Sequence, residues 1–181
     1  RIPNVASTPT GEVDDAEWEA VCNIVTEDLD QLRAFRDQEG DALEADLQLR
    51  VRNILNLLGQ VHPFEQARFT RMRERLHNNM EEVFGKEKLD SNRFEQEILY
   101  YLEKMDVTEE KVRLEQHCKY FVEQINNKEQ SGGRTLNFIS QEMGREINTL
   151  GAKAYDANVQ RLVVQMKDEL EKIKEQLANV L

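Results

Sequence analysis

GRTLNFISQEMGREINTLGAKA, residues Gly133 to Ala154, decides the fold, because its apolar residues fall at the three-and-four spacing of a helix with one buried side. Leu136, Ile139, Met143, Ile147 and Leu150 make that stripe. Wound at roughly 100° per residue, Glu142, Glu146, Thr149 and Lys153 form a second, polar stripe about a quarter turn from the first. A solvated face would more usually lie opposite the apolar one. Two carboxylates and a lysine beside the seam therefore suggest a cleft or a salt-bridged flank, and periodicity leaves both open.

The neighbouring stretches repeat the pattern. In DVTEEKVRLEQH, Asp106 to His117, Thr108 is the expected N-cap, with Glu109 and Glu110 at the positive end of the helix dipole. Asp106, Glu110, Arg113 and His117 share one face, about a quarter turn from the apolar stripe of Leu114, Cys118, Phe121 and Ile125. Tyr155 and Asp156 are read as starting a last helix. Its seam of Val159, Val163, Met166, Leu170, Ile173, Leu177 and Val180 resembles a coiled coil and should pack antiparallel against the Gly133 helix.

Upstream, residues 1–13 lack a hydrophobic period and read as a linker or tail. Val21, Cys22, Val25, Leu29 and Leu32 mark a first helix to about Arg36. Residues 36–40 interrupt or bend it, and Leu43, Leu47, Val51, Ile54, Leu55 and Leu58 mark a second. A break at 59–63 precedes a third, ending near Gly85. That helix holds the densest basic patch, Arg68, Arg71, Arg73 and Arg75, which is an RNA-backbone contact or, with Glu65, Glu74, Glu81 and Glu82 among it, a solvated face. A fourth helix starts near Asn92, with Arg93 and Glu97 as an i,i+4 pair. The expected fold class is all-α, antiparallel helical hairpins and a bundle with a coiled-coil-like C-terminal helix. Its parts are a tail (1–13), a helical hairpin or arm region (14–88) and a helical domain with the candidate site (89–181).

With 33% charged residues, 8 Gly and 3 Pro, the 181-residue composition agrees with helices. Acidic residues number 35 against 24 basic ones, and the net charge of -11 argues against holding nucleic acid by general electrostatics. Any RNA contact must be local or metal-bridged. No apolar run approaches the roughly eighteen residues that span a bilayer, and no charged-then-apolar leader is present. Cys22 and Cys118 sit at apolar helical positions without paired spacing, so both are expected as buried, reduced thiols of a cytoplasmic protein.

The wording of the Gly133 stretch also closely resembles the signature of the YicC-like endoribonuclease family. That pattern is Gly-Arg-x-Leu-Asp-Phe, then Gln-Glu-Met-x-Arg-Glu-Ile-x-Thr, then Gly-Ser-Lys-Ser. Gly133-Arg134-Thr135-Leu136-Asn137-Phe138, Gln141 to Thr149 and Gly151-Ala152-Lys153-Ala154 follow it, with Asn137, Ala152 and Ala154 as departures. The Asp106 to His117 stretch follows the family too, apart from Val107 for Ile, and so does the Arg36 to Leu43 region. The resemblance implies an endoribonuclease acting on single-stranded regions of RNA, in RNA degradation or processing. It also implies a further, partly β-stranded N-terminal domain ahead of this chain, a hexameric homo-oligomer and a place beside the RNA-decay machinery.

Two chemistries suit these residue types. In one, Asp106, Glu110, Glu142 and Glu146 hold Mn²⁺ or Mg²⁺ to activate water, with His117 as a further ligand or proton carrier. In the other, His117 moves a proton while the ribose 2′-hydroxyl attacks, and Lys153 or an arginine stabilises the charge. Because family members look metal-dependent, the metal route is preferred. The catalytic candidates are His117, Glu142, Glu146 and Glu110. Those for RNA contact are Arg113, Arg134, Arg145, Lys153, Arg93 and Arg71. The alternatives are a non-catalytic RNA-binding adaptor for decay and a structural helical module.

Overall fold

The computed structural model of the chain describes residues 14–84, 91–127 and 133–180. The expected tail over 1–13 and the polar loops over 85–90 and 128–132 lie outside the described residues. Among these described residues six helices follow in order: α1 Asp15–Gly59, α2 His62–Phe84, α3 Ser91–Met105, α4 Thr108–Asn126, α5 Gly133–Ala154 and α6 Ala157–Val180. No strand occurs among the described residues, so the fold is all-α.

α1 corrects one expectation, for it passes through residues 36–40 without a break. A single interior glycine costs a helix only about 1 kcal/mol. Gly40, flanked by Glu39 and Asp41, is therefore tolerated where a proline would not be. The chain divides into two compact units, 1–43 and 44–181.

In the first unit every described residue up to Ala42 is exposed. The apolar stripe of Val21, Val25, Leu29 and Leu32 is half exposed or nearly so, and Trp18 is 63% exposed. Cys22 is likewise exposed, against the expectation of a buried thiol. Among its described residues the unit has no second element to cover that stripe.

The second unit starts at Glu44, within α1. Leu47, Val51, Ile54 and Leu58 of α1 are buried there. Asn53 Nδ2 donates to Glu169 Oε2 on α6 at 2.9 Å, and Arg50 reaches the same oxygen at 3.5 Å. Burial pushes the Glu169 carboxyl up, but Asn53, Lys172 and Arg50 outweigh it and hold it below its ordinary value. The rest of the core is the expected one. Leu114, Cys118, Phe121 and Ile125 of α4 meet Leu136, Ile139, Met143, Ile147 and Leu150 of α5 and the Val159 to Leu177 seam of α6. Cys118 is buried, and its thiol is pushed up to about 12, chiefly by that burial and then by Glu115.

α5 and α6 pack antiparallel, and two glycines set how closely. A Cβ on Gly144 would stand 3.3 Å from Leu170 Cδ2, and one on Gly151 3.0 Å from Val163 Cγ1. Seven residues separate the glycines and seven separate their partners, in opposite senses. Tyr155 makes the turn between the helices with a left-handed φ of 44°, which costs an L-residue about 1–2 kcal/mol. The helix thus starts one residue beyond Asp156, whose Oδ1 accepts from Asn158 N at 2.8 Å and Val159 N at 3.1 Å as an N-cap.

The two glycines should respond differently to alanine. Gly144→Ala meets the flexible end of a leucine, so the gain in helix propensity should leave stability unchanged or raise it by up to about 1 kcal/mol. Gly151→Ala meets a stiff β-branched valine and should lose about 1–3 kcal/mol through overpacking. Urea denaturation of the two variants checks the difference; equal effects would refute the close α5–α6 register.

Candidate functional site

The polar flanks of α4 and α5 face each other, and one ion pair sets their register. Lys153 Nζ donates to Glu110 Oε1 at 2.7 Å. Glu110 is 5% exposed, and its second oxygen is buried without a hydrogen-bond partner among the described residues. In the antiparallel pairing so fixed, His117 lies two turns along α4 from Glu110, and Glu146 lies two turns back along α5 from Lys153. They are therefore level with each other. Both are half-buried. Neither side chain has a hydrogen-bond or ion-pair partner among the described residues.

The other residues proposed from sequence are dispersed. Asp106 precedes α4, so it does not continue the helical face of Glu110. It caps that helix in place of Thr108: its Oδ1 accepts from Thr108 N at 2.9 Å, and the N-cap position is occupied by Val107 without a side-chain cap bond. Hydrogen bonds from Thr108 hold the Asp106 carboxyl below its ordinary value, against slight burial and with help from Lys153 and Lys111. Arg113 pairs with Glu109, and Arg145 with Glu142 at 2.6 Å, both on exposed surface. Arg134 lies over the ring of Phe138, 5.8 Å from its centroid. Arg93 is exposed, with no Glu97 pair among the described residues.

This dispersal bears on the expected metal site. Eleven residues separate Glu142 from Lys153, the partner of Glu110, which is about 16 Å along α5. Asp106 is committed to a backbone N–H, Glu110 to Lys153 and Glu142 to Arg145. Among the described residues no group of three His, Cys, Asp or Glu side chains stands close enough to hold a metal ion. The four carboxylates do not fit a Mn²⁺ or Mg²⁺ site in this arrangement.

Arg68, taken from sequence as part of a basic patch, has a different role. Its side chain is buried, and its Nη2 donates to Met105 O at 2.5 Å while Nη1 donates to Ala154 O at 2.9 Å and Lys153 O at 3.4 Å. Met105 and Ala154 are the last residues of α3 and α5. Burial lowers the guanidinium pKa, with the charges of Glu65, Asp156 and Asp106 opposing. The signal was present in the sequence, since Arg68 precedes Met72 and Leu76 by four and eight, on the apolar side of α2.

Two further ion pairs complete this end. Glu65 accepts from Lys111 at 2.6 Å. Burial pushes its carboxyl up, but bonds from Lys111 and His62 prevail and leave it low. Arg71 donates at 2.5 Å to Asp156, whose side chain is 1% exposed. Burial also pushes Asp156 up, and the N–H groups of Val159 and Asn158 together with Arg71 overcome it.

The family described as "Endoribonuclease YicC-like, C-terminal" matches residues 61–181. The probable endoribonuclease YicC of Clostridioides difficile (strain 630) is 34% identical over 185 residues, covering 99% of this chain and 62% of that protein. The protein of the same name from Haemophilus influenzae is 34% identical over 149 residues, 81% of this chain and 50% of that protein. The chain thus spans less than two thirds of the length of these curated relatives.

Two substitutions test the framework around the site. Arg68→Lys should lose about 2–3 kcal/mol, because one ammonium cannot span two helix ends and leaves buried carbonyls unpaired; chemical denaturation measures it, and wild-type stability would refute the capping role. Asp156→Asn keeps a good cap but loses the charge facing Arg71. Since the native Asp156 pKa lies below its ordinary 3.8, its contribution is complete above about pH 5 and is lost as pH falls through the lowered value. The stability gap between wild type and Asp156→Asn should therefore be constant at neutral pH and close in acid; a gap unchanged down to pH 2 would exclude this electrostatic origin.

Proposed function

Because the chain belongs to the YicC-like endoribonuclease family, whose C-terminal domain it carries over residues 61–181, we propose that it contributes the RNA-cleaving helical domain of an endoribonuclease. The observation that carries this reading is the level placement of His117 and Glu146 on facing helices, both half-buried and, among the described residues, without a hydrogen-bond or ion-pair partner, each other included. An imidazole is a proton carrier, and a carboxylate at its level on the facing helix is free to orient it once RNA is bound. A single-stranded RNA lying along the α4–α5 flank would present a ribose 2′-hydroxyl to His117. His117 takes that proton, the 2′-oxygen attacks the adjacent phosphorus as the P–O5′ bond breaks, and the departing 5′-oxygen takes a proton from solvent water. The products are a 2′,3′-cyclic phosphate and a 5′-hydroxyl end.

Lys153 serves a neighbouring part of the strand. It lies about 10 Å along α5 from Glu146, too far for one ammonium to share the scissile phosphate. Glu110, buried against it, holds the ammonium in place as a positioning residue. The side chains support the 2′-hydroxyl route, which needs a proton carrier, over the metal route, whose donors are dispersed.

The test is cleavage of a 5′-labelled RNA by the intact protein, with Mn²⁺, with Mg²⁺ and with chelator, followed by analysis of the new ends. His117→Ala should lower the rate about 100- to 10,000-fold without loss of folding. Glu146→Gln should lower it less and alter its pH profile. Ends carrying 5′-phosphate, formed only with metal, would refute the 2′-hydroxyl route. RNA that is bound but never cut would replace the enzyme by a non-catalytic adaptor.

A further inference from the structure

The second unit holds a cleft that the reading above leaves unused. It has a volume of about 400 Å³, at the small end of the range for sites that take one small ligand. Arg71, Arg75, Lys104, Tyr101 and Tyr155 are among its lining residues. In a chain of net charge -11, four cations, the buried Arg68 among them, and two phenols around one concavity form a local exception to the overall field.

The cations other than Arg68 are available to a ligand. Arg71 gives Nη2 to Asp156 and Nε to Ala67 O, yet its side chain is 59% exposed, which leaves Nη1 open to a ligand. Arg75 is exposed, and among the described residues its side chain has no ion-pair or hydrogen-bond partner. Lys104 is exposed, stands 5.9 Å from the ring centroid of Tyr100, and has no carboxylate partner among the described residues.

Tyr155 is the most informative member. The α5–α6 turn demands a left-handed residue there, and glycine or asparagine would be usual. A tyrosine, 64% exposed, occupies it instead. Core packing does not account for that choice, since the ring is mostly in solvent. An aromatic face beside guanidinium and ammonium groups is the combination that holds an unpaired nucleotide, with the base stacked and the phosphate paired.

We infer that this cleft binds one unpaired nucleotide of a single-stranded RNA, the phosphate on Arg75 and Lys104 and the base against Tyr155. The inference rests on the endoribonuclease reading for its choice of RNA. It adds a subsite outside the cleaving flank. Tyr155 follows Lys153 by two residues, so a strand leaving His117 and Glu146 passes the Lys153 ammonium and then reaches the cleft. Duplex RNA, whose bases are already stacked, cannot offer one to Tyr155 without being opened.

The experiment measures equilibrium binding of labelled single-stranded RNA, and of a duplex of equal length, to the intact protein carrying His117→Ala, across a salt series. Three further variants are compared in that background, each checked for an unaltered thermal melt. Tyr155→Asn, which keeps a residue suited to the left-handed backbone, should weaken single-strand binding about 5- to 100-fold, while Tyr155→Phe should bind within about twofold of the parent. Arg75→Gln with Lys104→Gln should lower the salt dependence by about 1.4, the share of two phosphate contacts on a single strand. Parental affinity and salt slope in Tyr155→Asn and in the double variant would overturn the cleft while leaving the nuclease standing. Binding that needs the cleft, in a wild-type protein that never cuts RNA, would keep the cleft and remove the nuclease.

Discussion

The arrangement depends on one buried guanidinium. The last carbonyls of a helix have no partner within it and sit at the negative end of its dipole, so two helix ends meeting inside a protein need a shared donor and a positive charge. Arg68 supplies both to α3 and α5, through Met105 O and Ala154 O. Neutral donors of the same reach would satisfy the carbonyls without opposing the two dipoles. Among the described residues no carboxylate contacts that charge directly, and Glu65, Asp156 and Asp106 act on it through space.

This one junction orders what lies around it. With the end of α5 fixed, Lys153 is held where its ammonium meets Glu110, and that pair sets the register of α4 against α5. With Tyr155 committed to the turn, Asp156 both caps α6 and takes up Arg71. The level placement of His117 and Glu146, two turns away, is therefore a consequence of contacts that involve neither residue. Likewise the glycines at 144 and 151 allow α6 to approach closely enough to bury its seam against the far side of α5.

The charge of the chain acquires a different meaning once the helices are assembled. An excess of carboxylates argues against nucleic acid only if charge is spread evenly. Here several carboxylates are consumed in pairs: Glu65 with Lys111, Glu110 with Lys153, Asp156 with Arg71. The cations around Tyr101 and Tyr155 are then left facing a cleft. The same pairing disperses the carboxylates that the sequence offers to a metal ion.

By itself, the sequence determined the helices and their buried faces. Leu136 to Leu150, Leu114 to Ile125 and Val159 to Leu177 repeat at the helical period, and that period is a local property of the chain. It also determined the family, through wording concentrated in 106–117 and 133–154. Tertiary structure decided which polar residues became structural. Arg68, read as part of a basic patch, became a cap because the ends of α3 and α5, far apart in sequence, converge on it. Asp106 left the face of Glu110 because it precedes Thr108, the first residue of α4, so the helical spacing does not extend to it. Local spacing encodes which way a side chain points along its own helix. Whether a charge meets water, a carbonyl or an opposite charge depends on which other helix arrives there, and that is fixed only by packing.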